Sequence, residues 1–357
     1  MQRADWHGSP TWVVSRFEDI RTALSDPRIS ADALDRDGSP PIFPKMDDPE
    51  HARLRRMLTK DFTVKRAREM RPLIQEMVDD FLEKMIGKGQ PADLVTDYAL
   101  PIPSLVISLL LGVPYSDHAF FQEQSSILLD VTSPEKEKAT ARAAFFGYLL
   151  DLVERKEREP GDDLISRLIT ERMATGELSR ESVAMNSLVL LIAGHETTSN
   201  MIGLGTLTLL RNPEALALIR DTDDPAVIAS AVEELLRYLT IAQDVIVRVA
   251  LEDLTVGGQL VRAGEHLVMN LPAGNRDAAV FTDPDRFDAA RNPRGHLAFG
   301  YGVHQCLGQS LARVELEIAL PSLLHRLPGL RLAVPVEQLR FRHEMATYGV
   351  HELPVAW

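Results

Sequence analysis

Apolar positions recur at helical spacings of three and four from Pro49 to Tyr238. That period predicts helices over about Pro49–Phe62, Val64–Ile86, Ser104–Leu111, Ser116–Leu129, Pro134–Arg158, Ser179–Leu210 and Ala226–Tyr238, after a short one near Phe17–Ser25. As one helix, Ser179–Leu210 would be roughly 48 Å long. Strand-like segments lie outside this block. Thr11–Ser15 precedes the first helix. Asp244–Ala250, Gln259–Val261 and His266–Leu271 surround a Gly257-Gly258 turn, and Arg340–His343 and His351–Val355 occupy the tail. Ala31–Pro44, rich in Asp, Gly and Pro, is predicted as loop, and Asn275–Gly302 as irregular. A last long helix runs from near Cys306 to about Leu327. No repeat or linker divides the chain, so one domain over 1–357 is expected, mainly α with a small segregated β portion (α+β).

Composition narrows the function classes. With 45% hydrophobic and 25% charged residues the balance is globular. A net charge of −13 excludes wholesale nucleic-acid binding, which needs a basic surface. The single cysteine rules out an internal disulfide and fits a reducing compartment. Met1–Val14 has no apolar stretch of signal-peptide type, and no run reaches the ~18 apolar residues of a membrane span. The longest apolar stretches, Ile102–Val113 and Ser187–Ala193, are better buried helices, and a cytosolic location is expected.

The cysteine itself lies in Phe299-Gly300-Tyr301-Gly302-Val303-His304-Gln305-Cys306-Leu307-Gly308, ahead of an apolar helix. An isolated cysteine is ordinarily a small buried hydrophobe. Here three glycines allow tight turns and close approach of backbone to a flat ligand. A helix N-terminus favours the thiolate, and a thiolate facing an open cavity can be an axial haem ligand. The run resembles the haem-binding loop of the cytochrome P450 family, Phe-x-x-Gly-x-x-x-Cys-x-Gly, with Phe299, Gly302, Cys306 and Gly308 in its fixed places.

Three further segments resemble the same family in the same order. Ala193-Gly194-His195-Glu196-Thr197-Thr198 looks like its oxygen-activating helix. A glutamate at the apolar centre of a helix needs a reason, because burying a carboxylate is costly. By that resemblance Thr197 would hydrogen-bond dioxygen, Glu196 would relay protons, and Ala193 and Gly194 would leave room above the haem. The alternative is a solvated face carrying Glu196 and Thr197. His195 is not assigned to iron. Glu234-Leu235-Leu236-Arg237 matches the family's buried Glu-x-x-Arg pair, completed by Arg291, and is read as structural. His51 and Arg55, four apart on one helix face, match the family's contacts to the haem propionates, as do Arg248 and His304.

The resemblance covers about Trp12–Trp357 and implies a cytochrome P450 fold with a long central helix over haem b (iron protoporphyrin IX). It implies a monooxygenase that inserts one oxygen atom of O₂ into a hydrophobic small molecule, such as a natural product, a terpenoid or steroid-like compound, or a xenobiotic. In site terms it implies Cys306 on iron, catalytic Glu196 and Thr197, and haem contacts from His51, Arg55, Ala193, Gly194, Arg248, Phe299, Gly300, His304 and Gly308. Electrons would come from a ferredoxin and an NAD(P)H-linked ferredoxin reductase, since no flavin or iron–sulfur motif is evident. Eight basic residues between His51 and Arg71 (Arg53, Arg55, Arg56, Lys60, Lys65, Arg66, Arg68, Arg71), opposed there only by Asp61 and Glu69, form a candidate docking patch for an acidic partner. The alternative is an ordinary solvated charged face. The substrate cavity is expected between Ala31–Pro44, Leu190–Thr197, Ile241–Ile246 and the turn Ala346–Tyr348. Compared with bacterial members the chain is shorter before Trp12 and between Ser30 and Met46, which predicts either a more open cavity or omitted segments. Two other functions remain: a peroxygenase driven by hydrogen peroxide, against which Glu196-Thr197 argues, and a non-catalytic haem-thiolate sensor or binding protein, against which the lack of an output domain argues.

Overall fold

The long apolar pattern folds as one helix, Arg180–Leu210, through the centre of the molecule. The Ser179 hydroxyl caps its start by accepting the Ser182 N–H at 3.1 Å. The helix is buried nearly all round, which explains its lack of a polar stripe. Its polar side chains are accommodated locally: Ser187, Thr206 and Thr208 each donate to the carbonyl four residues back. In this computed structural model residues 1–6, 8–32, 42–243 and 246–357 are described.

Other helices pack around this axis as the periodicity predicts. Phe17–Ser25 has the predicted bounds, and Pro101–Leu111, His118–Leu129, Glu135–Arg158 and Pro225–Leu239 differ by a few residues at their ends. The pattern Val64–Ile86 is not one helix. It breaks at Met70 into Val64–Glu69 and Arg71–Lys88, because Pro72 has no N–H to continue the ladder and starts a helix well. The helix after the cysteine spans Gln309–Arg326, beginning three residues past Cys306.

The β portion is larger at the start of the chain than predicted. Gln2–Trp6 pairs antiparallel with Ser9–Val14, and a five-stranded sheet continues through His266–Met269 and Val247–Ala250 to Ile29–Ser30. Leu254–Val256 also pairs with Gln259–Val261. In the tail, Arg340–His343 forms no strand: Phe341 makes one isolated bridge, to Val350, and only Pro354–Ala356 is regular. The sheet and Phe17–Ser25 enclose their own apolar cluster, separate from the helical core. Alternation along Val247–Ala250 turns Arg248 to the buried side. Residues 244 and 245, within a predicted strand, and 33–41, within the predicted loop, lie outside the described residues.

Candidate functional site

The cysteine loop is built by its own backbone. Leu297 N–H donates to Asn275 Oδ1 at 2.7 Å, Gly300 N–H to the Leu297 carbonyl at 2.8 Å, and Cys306 N–H to the Phe299 carbonyl at 2.9 Å. Gly300 and Gly302 have φ of 70° and 73°. A Cβ at Gly302 would sit 2.6 Å from the Leu24 carbonyl oxygen, so no other residue fits there. Cys306 lies deep in the fold, and the surface it exposes faces a cavity. Burial pushes its thiol pKa up, while the N–H groups of Gly308 and Gln309 and the charges of Arg55 and Arg313 pull it down; burial wins in the free side chain.

The cavity, about 300 Å³, separates this loop from the central helix. Ala193, Gly194 and Thr197 line the far wall with Ile107, Leu190 and Met201. A side chain at Gly194 would run into Ile107, 2.6 Å away. Thr197 donates to the Ala193 carbonyl at 2.7 Å and keeps its hydroxyl at the cavity wall. Glu196, one residue earlier, is buried but does not line the cavity. Its Oε2 accepts from Arg342 Nη1 at 3.0 Å, and Arg342 also reaches Asn200 Oδ1 at 3.5 Å. The solvated-face alternative therefore fails for Glu196. His195 is fully buried, with Nδ1 2.6 Å from the Leu191 carbonyl. Burial lowers its pKa, keeping it neutral.

His51, Arg55, Arg248 and His304 gather at one side of the cavity. The rings of His51 and His304 lie 4.0 Å apart. Arg55 donates to the Gln305 carbonyl at 2.6 Å and Arg248 to its neighbour Val247 at 2.9 Å; neither guanidinium holds a carboxylate among the described residues. Burial, the largest cause, depresses the pKa of His51, Arg55 and Arg248, and that of His304 to about 4, with further lowering from the charges of His51 and Arg248. His51 Nε2 and His304 Nδ1 are buried without a partner. Two orphaned imidazole nitrogens and two guanidinium groups free of carboxylates are what a ligand with two buried carboxylates requires. With Gly308, whose Cβ position meets nothing within 4 Å, the site fits a flat porphyrin with two propionates.

Glu234 is fully buried. Arg237 grips it with two bonds of 2.7 and 2.8 Å, and Arg291 adds one of 3.0 Å. This triad props the loop around Asp288 and touches no part of the cavity.

Two expectations need correction. The turn Ala346–Tyr348 is not in the cavity wall, because Thr347 bridges Ala242 and bonds Asn200 behind it. The basic run is also more neutralised than its sequence implied. Arg53, Lys60 and Arg71 pair with Glu50, Glu171 and Glu317, Arg55 turns inward, and Lys65 and Arg66 share Glu69. Asp61 is held by Arg167 instead. Arg56 and Arg68 remain exposed without an acidic partner among the described residues. Phe43 and Pro44, from the expected loop Ala31–Pro44, do line the cavity, while Ile107, Arg342 and Glu315 are cavity or supporting residues that the sequence reading does not single out. Glu315 is buried in the cavity wall with Oε2 unpartnered, and burial holds its pKa well above the carboxylate range. Its signal is an acid on the helix face of Leu311, Ala312, Ile318 and Ala319.

A long buried helix facing a glycine-shaped cysteine loop across an apolar cavity defines a haem-thiolate fold. The chain belongs to the cytochrome P450 family, whose profile matches residues 35–329. It is 53% identical to cytochrome P450-SU2 of Streptomyces griseolus over 99% of this chain and 89% of that protein. Among solved structures, the mycinamicin VIII C21 methyl hydroxylase MycCI from Micromonospora griseorubida, bound to mycinamicin VIII, superposes with a TM-score of 0.94 at 41% identity, covering 99% of this chain and 92% of that one. CYP105P1 in complex with filipin I gives 0.95 at 44%, with 99% and 92% covered. The chain is thus a P450 monooxygenase whose cofactor is haem b, held in this family through a cysteine thiolate. Among the described residues no helix is long and apolar enough to cross a membrane.

Proposed function

We propose that this P450 hydroxylates an apolar, natural-product-like molecule, with Cys306 as the haem ligand and a ferredoxin and its NAD(P)H-linked reductase as electron source. The observation that carries the proposal is the apolar cavity bounded by Cys306 on one side and by Ala193, Gly194 and Thr197 on the other. When bound, the haem supplies dioxygen activation and the hydrogen-abstracting oxidant.

The chain supplies position and protons. Gly308 and Gln309 N–H groups stabilise the thiolate. His51, Arg55, Arg248 and His304 would hold the propionates, and Phe299 and Gly300 shape the loop that carries Cys306. Ala193 and Gly194 keep the centre of the far wall free of bulk. Thr197 keeps an exchangeable proton at Oγ1 beside the reacting space. Glu196 faces away, toward partly exposed Arg342, and replaces that proton from the outer side. Leu190, Ile241, Ala242 and Ile246 orient the substrate by apolar contact. Filipin I and mycinamicin VIII, held by two similar proteins, support a bulky ligand of this kind. Arg56 and Arg68 offer positive charge to an acidic ferredoxin.

The test follows the haem absorption band while candidate ligands are added, then measures product with ferredoxin, reductase, NAD(P)H and O₂. Product formed under those conditions is the expected result. Product formed only with hydrogen peroxide would replace the monooxygenase cycle by a peroxygenase. Cys306→Ser should abolish the thiolate-specific spectrum of the reduced CO complex; its survival would remove Cys306 from iron.

A further inference from the structure

Adjacent to the structural Glu234, Glu233 points the opposite way, toward the cysteine loop. Its carboxylate accepts two bonds from Arg313, Nε to Oε1 at 2.5 Å and Nη2 to Oε2 at 3.1 Å. Arg313 lies on the helix Gln309–Arg326 and is further anchored by the Gln309 side chain at 3.1 Å. His296 completes the group. Its Nδ1 accepts the Ala298 N–H at 3.1 Å, so Nε2 carries the proton and donates to Glu233 Oε2, also at 3.1 Å. Between Arg313 and His296 stands Phe299, its ring centroid 4.5 Å from the guanidinium carbon and 6.0 Å from the imidazole. The carbonyl of that same Phe299 takes the N–H of Cys306. One carboxylate thus secures both cationic and aromatic supports of the residue that closes the cysteine loop.

We propose that Glu233 and Arg313 are positioning residues that clamp Phe299 and, as a balanced charge pair, set the reduction potential of the haem held by Cys306. The inference rests on Cys306 being the ligand. Arg313, on the helix that starts three residues past Cys306 and set against the Phe299 ring, places a positive field beside the cysteine loop. The same field favours the reduced haem, because reduction adds one negative charge. Glu233 opposes that field. Although burial works against its ionisation, the bonds from His296 and Arg313 hold its pKa down to about 2, so the opposing charge is always present. Side-chain exposure of only 21% and 27% for Glu233 and Arg313 limits screening by solvent.

The two charges therefore make opposite predictions. In the haem-loaded protein, Glu233→Gln leaves Arg313 unopposed and raises the potential. Arg313→Gln leaves the carboxylate unopposed and lowers it. Each shift should be about two- to tenfold in the one-electron equilibrium, tenfold being ~59 mV. The double variant should return near the starting value, because the pair then contributes no net charge. A merely structural clamp would lower thermal stability in all three and move the potential in one direction or not at all; either result overturns the proposal. Should Arg313→Gln fail to retain haem, Glu233→Gln against Glu233→Asp decides. A raised potential in the first alone supports the proposal, and equal potentials overturn it. The reduced CO spectrum of the unaltered protein, checked against Cys306→Ser, tests the ligand assignment separately.

Discussion

The wall that carries Cys306 and the wall that carries Thr197 enclose the same cavity but are held by different forces. The cysteine wall is irregular backbone, propped by carboxylates locked to arginines: Glu234 with Arg237 and Arg291, and Glu233 with Arg313. The Thr197 wall is a regular helix, held by apolar packing on nearly every side. A loop without a ladder has many backbone groups to satisfy, and buried charge pairs serve as rigid struts for it. A helix satisfies its own backbone and needs only packing. Substitutions in the first wall should therefore cost structure, and substitutions in the second should cost chemistry.

The sharpest way to break this contrast is Glu234→Ala. It strands the fully buried guanidinium of Arg237. Removing one partner of such a pair costs about 3–5 kcal/mol. Denaturant titration should show that loss, with poor haem retention because the loop from Asp288 onward loses its support. Normal stability would mean the triad is not a strut.

The helix wall predicts the reverse pattern. Thr197→Ala should leave the unfolding midpoint nearly unchanged, since Thr197 bonds only its own helix, and Glu196→Gln should cost less than Glu234→Ala, since glutamine keeps an acceptor for Arg342. Product formed per electron consumed should nevertheless fall by about a hundredfold, the scale of a lost proton-transfer group. Coupling as tight as in the unaltered protein in both variants would deny the pair its role. Arg342→Gln offers a graded comparison, keeping both Glu196 and Thr197 while releasing the carboxylate; its loss should be smaller than that of Glu196→Gln.

The two walls also differed in legibility. Cys306, Gly302 and Gly308 are legible through the resemblance of their run to the family's haem-binding loop, and at Gly302 the reason is local, a turn that only glycine permits. The central helix was evident from its apolar length, and its buried Glu196 from the cost of such a residue there. Arg342 could not be found, since it reaches Glu196 from 146 positions away in an irregular tail. The same holds for Glu233, which reads as one of two adjacent acids on an amphipathic helix until Arg313 and His296 fold against it. The apolar period runs unbroken through Val64–Ile86 and hides the break that Pro72 marks locally. The acids that neutralise the basic run escaped notice because Glu171 and Glu317 arrive from distant helices. Local backbone demands are visible in the sequence, whereas long-range charge pairing is visible only where the family resemblance supplies it, as for Glu234 with Arg291.

The smallest expected effect concerns the edge of the cysteine wall, at His51 beside His304. Its pKa is held below the ordinary 6.5, chiefly by burial, so in the haem-free fold it stays neutral. Above pH 6.5 folded and unfolded chains are both neutral there, and the residue adds no pH dependence. Below 6.5 the unfolded chain takes the proton first, so stability falls as the pH drops toward the folded pKa, by less than about 1.4 kcal/mol per pH unit. His51→Gln should remove this slope from the haem-free protein, as read by denaturant titrations between pH 7 and 5. A propionate beside His51 Nε2 would favour the charged ring and raise its folded pKa. The loaded protein should then take up a proton on binding haem and lose this component of its acid sensitivity. If loaded and haem-free forms show the same difference from their His51→Gln counterparts across that window, no propionate faces His51, and the four gathered basic groups need another partner.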